Sequence, residues 1–324
     1  MKKQYKTIAL ILALALLGIF IAQMNWLQVQ ANLQQVGWRF SIVLVITGIA
    51  YAMASTAWLL CFPKSPSQLS ASKLFVYRQI GETLTTINPA NIIVGESAKV
   101  YLLNKDGVDY EQGLVSILLS RILIFLSMIG LFLFLPLALY QTGLLVEMSL
   151  AWITGFLLFI GSILGIFYSM IHPDLLLYKG ISTLNNKLRF SFIHSSLPKL
   201  RHINQLLHDF YQQRKIQLFL AFLLSLFHWI MGAVEIFFLL QLLNLKITLF
   251  GALLIEVGVT CIKSMGAFIP GQIGVEEYGN KVMLSVVGIS TPSVWLTLSI
   301  LRRTRQIIWL LIGGVLFLFV YKKL

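Results

Sequence analysis

Apolar residues fall in long blocks along this chain. They run from Thr7 to Ala22, Trp38 to Phe62, Leu114 to Tyr140, Leu150 to Ile171, Ile216 to Leu243, Val282 to Leu301 and Ile307 to Tyr321. Each block is long enough, or nearly so, to cross roughly 30 Å of hydrocarbon as a helix. The first follows MKKQYK like a secretory leader, but it is long, no A-x-A cleavage site follows, and NWLQVQANLQQ continues directly, so an uncleaved span is expected. Two further stretches, Ser70 to Leu103 and Ile247 to Gly279, are apolar in patches but broken by Gly, Pro and charge. The pattern predicts an all-α, polytopic transmembrane helical bundle of about seven to eight spans. It forms a single domain over residues 1–324, with two broken segments expected to be re-entrant.

Composition agrees, since 324 residues that are 58% hydrophobic and 11% charged carry more apolar surface than a water-soluble fold of this size can bury. The net charge of +13 lies between apolar blocks and not on one surface interleaved with aromatics, which argues against nucleic acid as a partner. Its expected role is orientation. Lys2, Lys3 and Lys6, the loop of residues 172–215, and a last interhelical turn with Arg302, Arg303 and Arg305 are basic, whereas Gln23 to Gly37 and Gln141 to Met148 hold no Lys or Arg. Basic segments mark the cytoplasmic side, so a cytoplasmic N-terminus is expected. Both broken segments must then return to the side they came from, and Lys322 and Lys323 are left outside. The order helix, broken segment, helix, helix describes 38–171 and again 216–321, an expected inverted repeat. Within it Pro89 precedes Glu96 by seven residues, as Pro270 precedes Glu277, with Gly95 and Gly274 between.

Non-helical backbone at membrane depth persists where it is buried in protein or lines a wet cavity. In the first broken segment Thr85, Thr86, Asn88 and Asn91 can cap freed backbone groups. Arg78 and Glu82 are spaced i,i+4 and Glu96 and Lys99 i,i+3. The former pair suits an interfacial salt bridge, the latter a site. In the second, Glu256 and Lys263 share a helical face, and Glu276 and Glu277 follow the turn PGQIG (Pro270, Gly271, Gly274). Arg121 can equally snorkel or bind anionic head groups. His228 and Glu235, seven apart, suit either a helix–helix hydrogen bond or a proton relay. Cys61 and Cys261 lie in or beside apolar runs, and no metal-ligand spacing is present, so neither cofactor nor metal is expected.

GETLTTINPANIIVGESAKVYLLNKDGVDYEQGLVSILLSRIL together with FIPGQIGVEEYG resembles the lysylphosphatidylglycerol synthase transmembrane-region family, also called flippase-like domain proteins. The family's N-P-GE motif, following basic residue and later Arg would be Asn88, Pro89, Gly95, Glu96, Lys99 and Arg121. Its P-G-x-x-G-x-x-E motif would be Pro270, Gly271, Gly274 and Glu277. Lys99 stands where Arg is more usual, offering a point charge in place of a bidentate fork. No soluble aminoacyl-transferase domain follows Leu324 in this sequence, so lipid lysylation is not expected. The resemblance implies lipid translocation or export in a prokaryotic plasma membrane, often beside an envelope-lipid or glycan biosynthesis enzyme.

The leading expectation is a transporter of an amphiphilic lipid, with Lys99, Lys263 and Arg121 meeting an anionic phosphate. Movement would be downhill or ion-coupled, since no P-loop is present, with His228, Glu235, Glu256 or Glu276 or Glu277 as candidates for carrying a proton. A membrane transferase or phosphatase, and a scaffold for a glycosyltransferase docking on residues 172–215, are the alternatives. No HExxH or GxSxG supports the enzyme.

Overall fold

The computed structural model describes residues 26–63, 67–87, 92–132, 208–266 and 274–321, with isolated positions 134, 154, 157, 158, 161, 165, 168 and 272. Among these residues the chain is helical and holds no strand. The helices are α1 (Trp26–Val36), a 3-10 turn (Gly37–Arg39), α2 (Phe40–Leu60), α3 (Ala71–Ile87), α4 (Ile92–Lys105), α5 (Tyr110–Phe132), α6 (Lys215–Leu242), α7 (Leu249–Met265), α8 (Val275–Val286) and α9 (Pro292–Tyr321). Local chemistry sets several starts. Ser70, Asp109 and Thr248 accept hydrogen bonds from first-turn N–H groups of α3, α5 and α7, and Pro292 opens α9 where a missing N–H costs nothing.

Four helical stretches among the described residues are long and apolar enough to cross a membrane: Trp26–Leu60, Tyr110–Phe132, Lys215–Leu242 and Pro292–Val320. Lys215–Leu242 matches the expected Ile216–Leu243 closely, Tyr110–Phe132 overlaps Leu114–Tyr140, and Trp26–Leu60 begins twelve residues before the expected Trp38–Phe62, in a stretch expected as a connection. The expected span Thr7–Ala22, most of Leu150–Ile171, and the basic loop up to residue 207 lie outside the described residues.

The C-terminal region corrects the sequence reading. Val282–Leu301 and Ile307–Tyr321 were expected as two spans joined by an arginine-bearing turn. Instead α8 ends at Val286, a turn follows, and α9 is one continuous helix that carries Arg302, Arg303 and Arg305 within it. The arginines do not need water at this point because carboxylates from three other helices meet them.

Each broken segment is a pair of short helices packed on one another, α3 with α4 and α7 with α8. The bends themselves, including Asn88, Pro89 and Asn91 in the first and Pro270 and Gly271 in the second, lie outside the described residues. The pairs open from opposite ends of the bundle. The base of α3–α4 packs through Leu69, Leu74 and Val108 with the end of α2 (Phe62), with Phe210 and with the end of α9 (Leu316, Val320). The base of α7–α8 packs through Ile247, Leu284 and Ile289 with the start of α2 (Val43), the end of α6 (Leu242, Leu243) and the start of α9 (Val294). Between these ends α6 lies along α2, and α9 reaches both pairs, touching α8 and α3.

Lipid is as apolar as leucine, so helices in a membrane associate through close packing and polar contacts more than through burial of apolar surface. Gly81 on α3 and Gly95 on α4 face each other across such a contact, where an added Cβ at Gly95 would overlap the Gly81 carbonyl and the Thr85 hydroxyl. By contrast, a Cβ at Gly314 on α9 would meet nothing within 4 Å. Gly95→Ala is therefore expected to destabilise the folded protein by about 1–3 kcal/mol, whereas Gly314→Ala is neutral or raises stability by up to ~1 kcal/mol. Thermal unfolding of the two variants in detergent checks this, and equal midpoints would refute the close packing of α3 on α4.

Candidate functional site

Two groups of charged side chains occupy the interior. In the first, the carboxylates of Glu82 (α3) and Glu96 (α4) share two cations. Lys99 Nζ lies 3.2 Å from Glu82 Oε1 and 3.1 Å from Glu96 Oε1. Arg121, about three turns into α5, donates from Nη2 to Glu82 at 2.6 Å and from Nε to Glu96 at 3.0 Å. Arg121 thus ties the two hairpin helices to the next long helix. Glu82 is not the partner of Arg78 that the i,i+4 spacing suggests; the Arg78 guanidinium lies over the Tyr51 ring, 4.6 Å from its centroid.

The second group is larger. Arg302 donates to Glu256 at 3.0 Å and stands 3.1 Å from Glu276, close enough for attraction though not aligned as a hydrogen bond. Lys263 approaches Glu276 at 3.2 Å, Arg303 donates to Glu277 at 2.8 Å, and Arg305 donates to Glu235. Four cations therefore balance four carboxylates drawn from α6, α7 and α8. Glu256 and Lys263, expected to share a face, do line one cavity, but each is paired elsewhere.

The turn read as PGQIG is fastened by the same residues. Gly274 takes φ +83°, a left-handed conformation that glycine adopts without strain, and Gln272 takes φ +50°. Glu277 then reaches back to accept the Gly274 N–H at 2.8 Å, capping α8, while Arg303 donates to both Glu277 and the Gln272 carbonyl. The sequence separations in the two groups match closely. Glu96 meets an arginine 25 residues later on the next long helix, and Glu277 meets one 26 residues later.

A cleft of about 440 Å³ lies among α2, α6, α7 and α9, lined by Tyr51, His228, Glu235, Glu256, Lys263 and Arg302 with their neighbours. The first group encloses only a pit of about 20 Å³. His228 and Glu235 both line the cleft but are bonded apart: the His228 Nδ1 lies 2.9 Å from the Ala50 carbonyl, and Glu235 meets Thr47 at 3.3 Å and Arg305. The His228 contact ties α6 to α2.

A family profile described as "Lysylphosphatidylglycerol synthase TM region" matches residues 7–314, a range that holds both charged groups and the cleft. The chain belongs to the lysylphosphatidylglycerol synthase transmembrane-region family. No curated protein and no solved structure matches it. Of the positions matched to this family's motifs, Gly95, Glu96, Lys99 and Arg121 converge in the first group and Gly274 and Glu277 in the second. Asn88, Pro89, Pro270 and Gly271 lie outside the described residues. Arg302, Arg303 and Arg305, taken from sequence only as markers of a loop, are the centre of the second group in this family member. One signal was present: no glycine or proline separates Pro292 from Gly313, so nothing there breaks the helix.

Arg302 is 4% exposed, with Glu256 and Glu276 against it at 7% and 0%. Removing one partner of a buried ion pair leaves the other uncompensated, at about 3–5 kcal/mol. Arg302→Gln is expected to lower the unfolding midpoint sharply, and adding Glu256→Gln to recover part of the loss. Additive losses in calorimetry of the three variants would show that the pair is not coupled.

Proposed function

We propose that this protein moves a phosphate-bearing envelope lipid between the leaflets of a prokaryotic plasma membrane, with no nucleotide bound to this chain. The observation that carries the reading is the cleft of about 440 Å³ among α2, α6, α7 and α9, with Glu235, Glu256, Lys263, Arg302 and Arg305 in its wall, in a bundle whose two short helix pairs open from opposite ends. A lipid head group cannot cross hydrocarbon without partners for its polar atoms, whereas the tails need none. A cleft with charged side chains in its wall offers such partners to a head group, while the tails stay in hydrocarbon. The apolar exposure at the start of α4, with Ile93 76% and Val94 42% exposed, suits a hairpin tip that sits in lipid as a re-entrant segment. The equivalent Glu96–Arg121 and Glu277–Arg303 pairs support the inverted repeat of halves 38–171 and 216–321.

Orientation also gains support. With α9 as one crossing and α7–α8 returning to the side it came from, and with Thr7–Ala22 and Leu150–Ile171 each crossing once as the sequence predicts, Lys322 and Lys323 would fall on the same side as Lys2, Lys3 and Lys6. The cytoplasmic N-terminus then agrees with every basic terminal segment. In a background lacking Cys61 and Cys261, Lys323→Cys should resist a membrane-impermeant maleimide added to intact cells and Gln23→Cys should react. The reverse pattern would overturn this orientation.

The transport reading is tested in liposomes holding the purified protein, by following leaflet accessibility of fluorescent phospholipids and lipid-linked phosphates. One lipid class is expected to move well above protein-free liposomes. Glu96→Gln, folded by circular dichroism, should slow it by about tenfold or more, the rate equivalent of ~1.4 kcal/mol in the barrier. Folded wild-type protein that moves no class would count against transport and favour an enzyme or a scaffold.

A further inference from the structure

Six cationic side chains border the pit and the cleft: Arg78, Lys99 and Arg121 at the first, Lys263, Arg302 and Arg305 at the second. Five are held by carboxylates, Lys99 and Arg121 by Glu82 and Glu96, Lys263 and Arg302 by Glu276 and Glu256, and Arg305 by Glu235. Arg78 is the exception among these described residues. It makes no ion pair: its contacts are the Tyr51 ring at 4.6 Å and a hydrogen bond to Gln79 Oε1 at 3.4 Å, the long limit for such a bond, while Glu82 and Glu96, held by Lys99 and Arg121, attract it from farther away. A guanidinium carries five N–H donors, so most of its capacity is unused. Three cations against two carboxylates leave the first group with one positive charge in excess, while the second is balanced.

An arginine near a helix end can carry its charge to the interface. Arg78 does not take that course. Although it lies about two turns from the start of α3, it reaches inward to Tyr51, in the middle of α2, and lines the pit with Trp58 and Arg121. The cation–π contact offsets little of that charge, and Arg78 is only partly buried at the pit, so one anion that reaches it would neutralise the group. The pit beside Arg78 has room for no more than a water, but Tyr51, over whose ring Arg78 lies, belongs to the wall of the larger cleft. Tyr51 thus stands between Arg78 and the cleft.

Resting on the transport reading above, we propose that Arg78 is the specificity-determining cation that binds the anionic phosphate of a head group and selects a net-negative lipid over a zwitterionic one. It takes the role that Lys99, Lys263 and Arg121 would have if they were not already neutralised. A planar, delocalised guanidinium with free donors is suited to a phosphodiester.

The test reads binding and movement separately. The purified protein is equilibrated with vesicles of equal phosphatidylglycerol and phosphatidylcholine, and the lipid it retains is counted. In parallel, liposomes report the movement of each lipid in fluorescent form. Wild type should retain the anionic lipid preferentially, Arg78→Gln should abolish that preference, and Arg78→Lys should keep part of it. Movement of the anionic lipid alone should slow in Arg78→Gln by about tenfold. Unchanged preference in Arg78→Gln, no preference in wild type, or equal slowing of both lipids with intact folding would overturn the assignment. Selective binding without movement in wild type would instead leave Arg78 as the anion site and refute transport.

Discussion

A charge at membrane depth needs a partner, because lipid tails offer none and a lone ion is expensive. Much of this architecture follows from that constraint. α9 cannot cross with three arginines in its middle unless acidic groups meet them, and Glu235, Glu256, Glu276 and Glu277 arrive from α6, α7 and α8. In the first half Glu82 and Glu96 hold Lys99 and Arg121 in the same way. Since apolar surface does little to distinguish a neighbouring helix from lipid, these contacts and close glycine packing fix which helices are neighbours.

The helices of the bundle were legible where a block of apolar residues suffices. Trp38 to Phe62 became Phe40–Leu60, and Ile216 to Leu243 became Lys215–Leu242. The broken segments were legible because Gly, Pro and charged residues occur together there within otherwise apolar stretches, and among the described residues they are pairs of short helices. The arginines of α9 were misread because a basic cluster looks the same in a loop and on a buried helix face. What separates the cases is the partner, and Glu277, Glu256 and Glu235 are 26, 46 and 70 residues away in sequence. No local window holds that information.

The site was legible as a set of residues but not as a set of pairings. Glu96 and Lys99 do meet, as their i,i+3 spacing suggests, whereas Arg78 and Glu82, equally well spaced, form no ion pair: Glu82 is engaged by Arg121 and Lys99, and Arg78 lies over Tyr51. Spacing on a helix establishes who can meet. The rest of the bundle decides who does. The seven-residue interval from proline to glutamate in both broken segments gains weight from the 25- and 26-residue intervals to the arginines, since both carboxylates then hold the same position relative to a hairpin and to the long helix after it.

Arg303 on α9 is fixed to the α8 cap, and Gly313 on the same helix lies against Thr83 and Gln79 of α3. Ten residues of unbroken helix separate them, about 15 Å of a stiff rod. Such a rod acts as a beam shared by two doors hung on opposite walls. A shift of that helix at one contact would be carried to the other, so the two hairpins share one support.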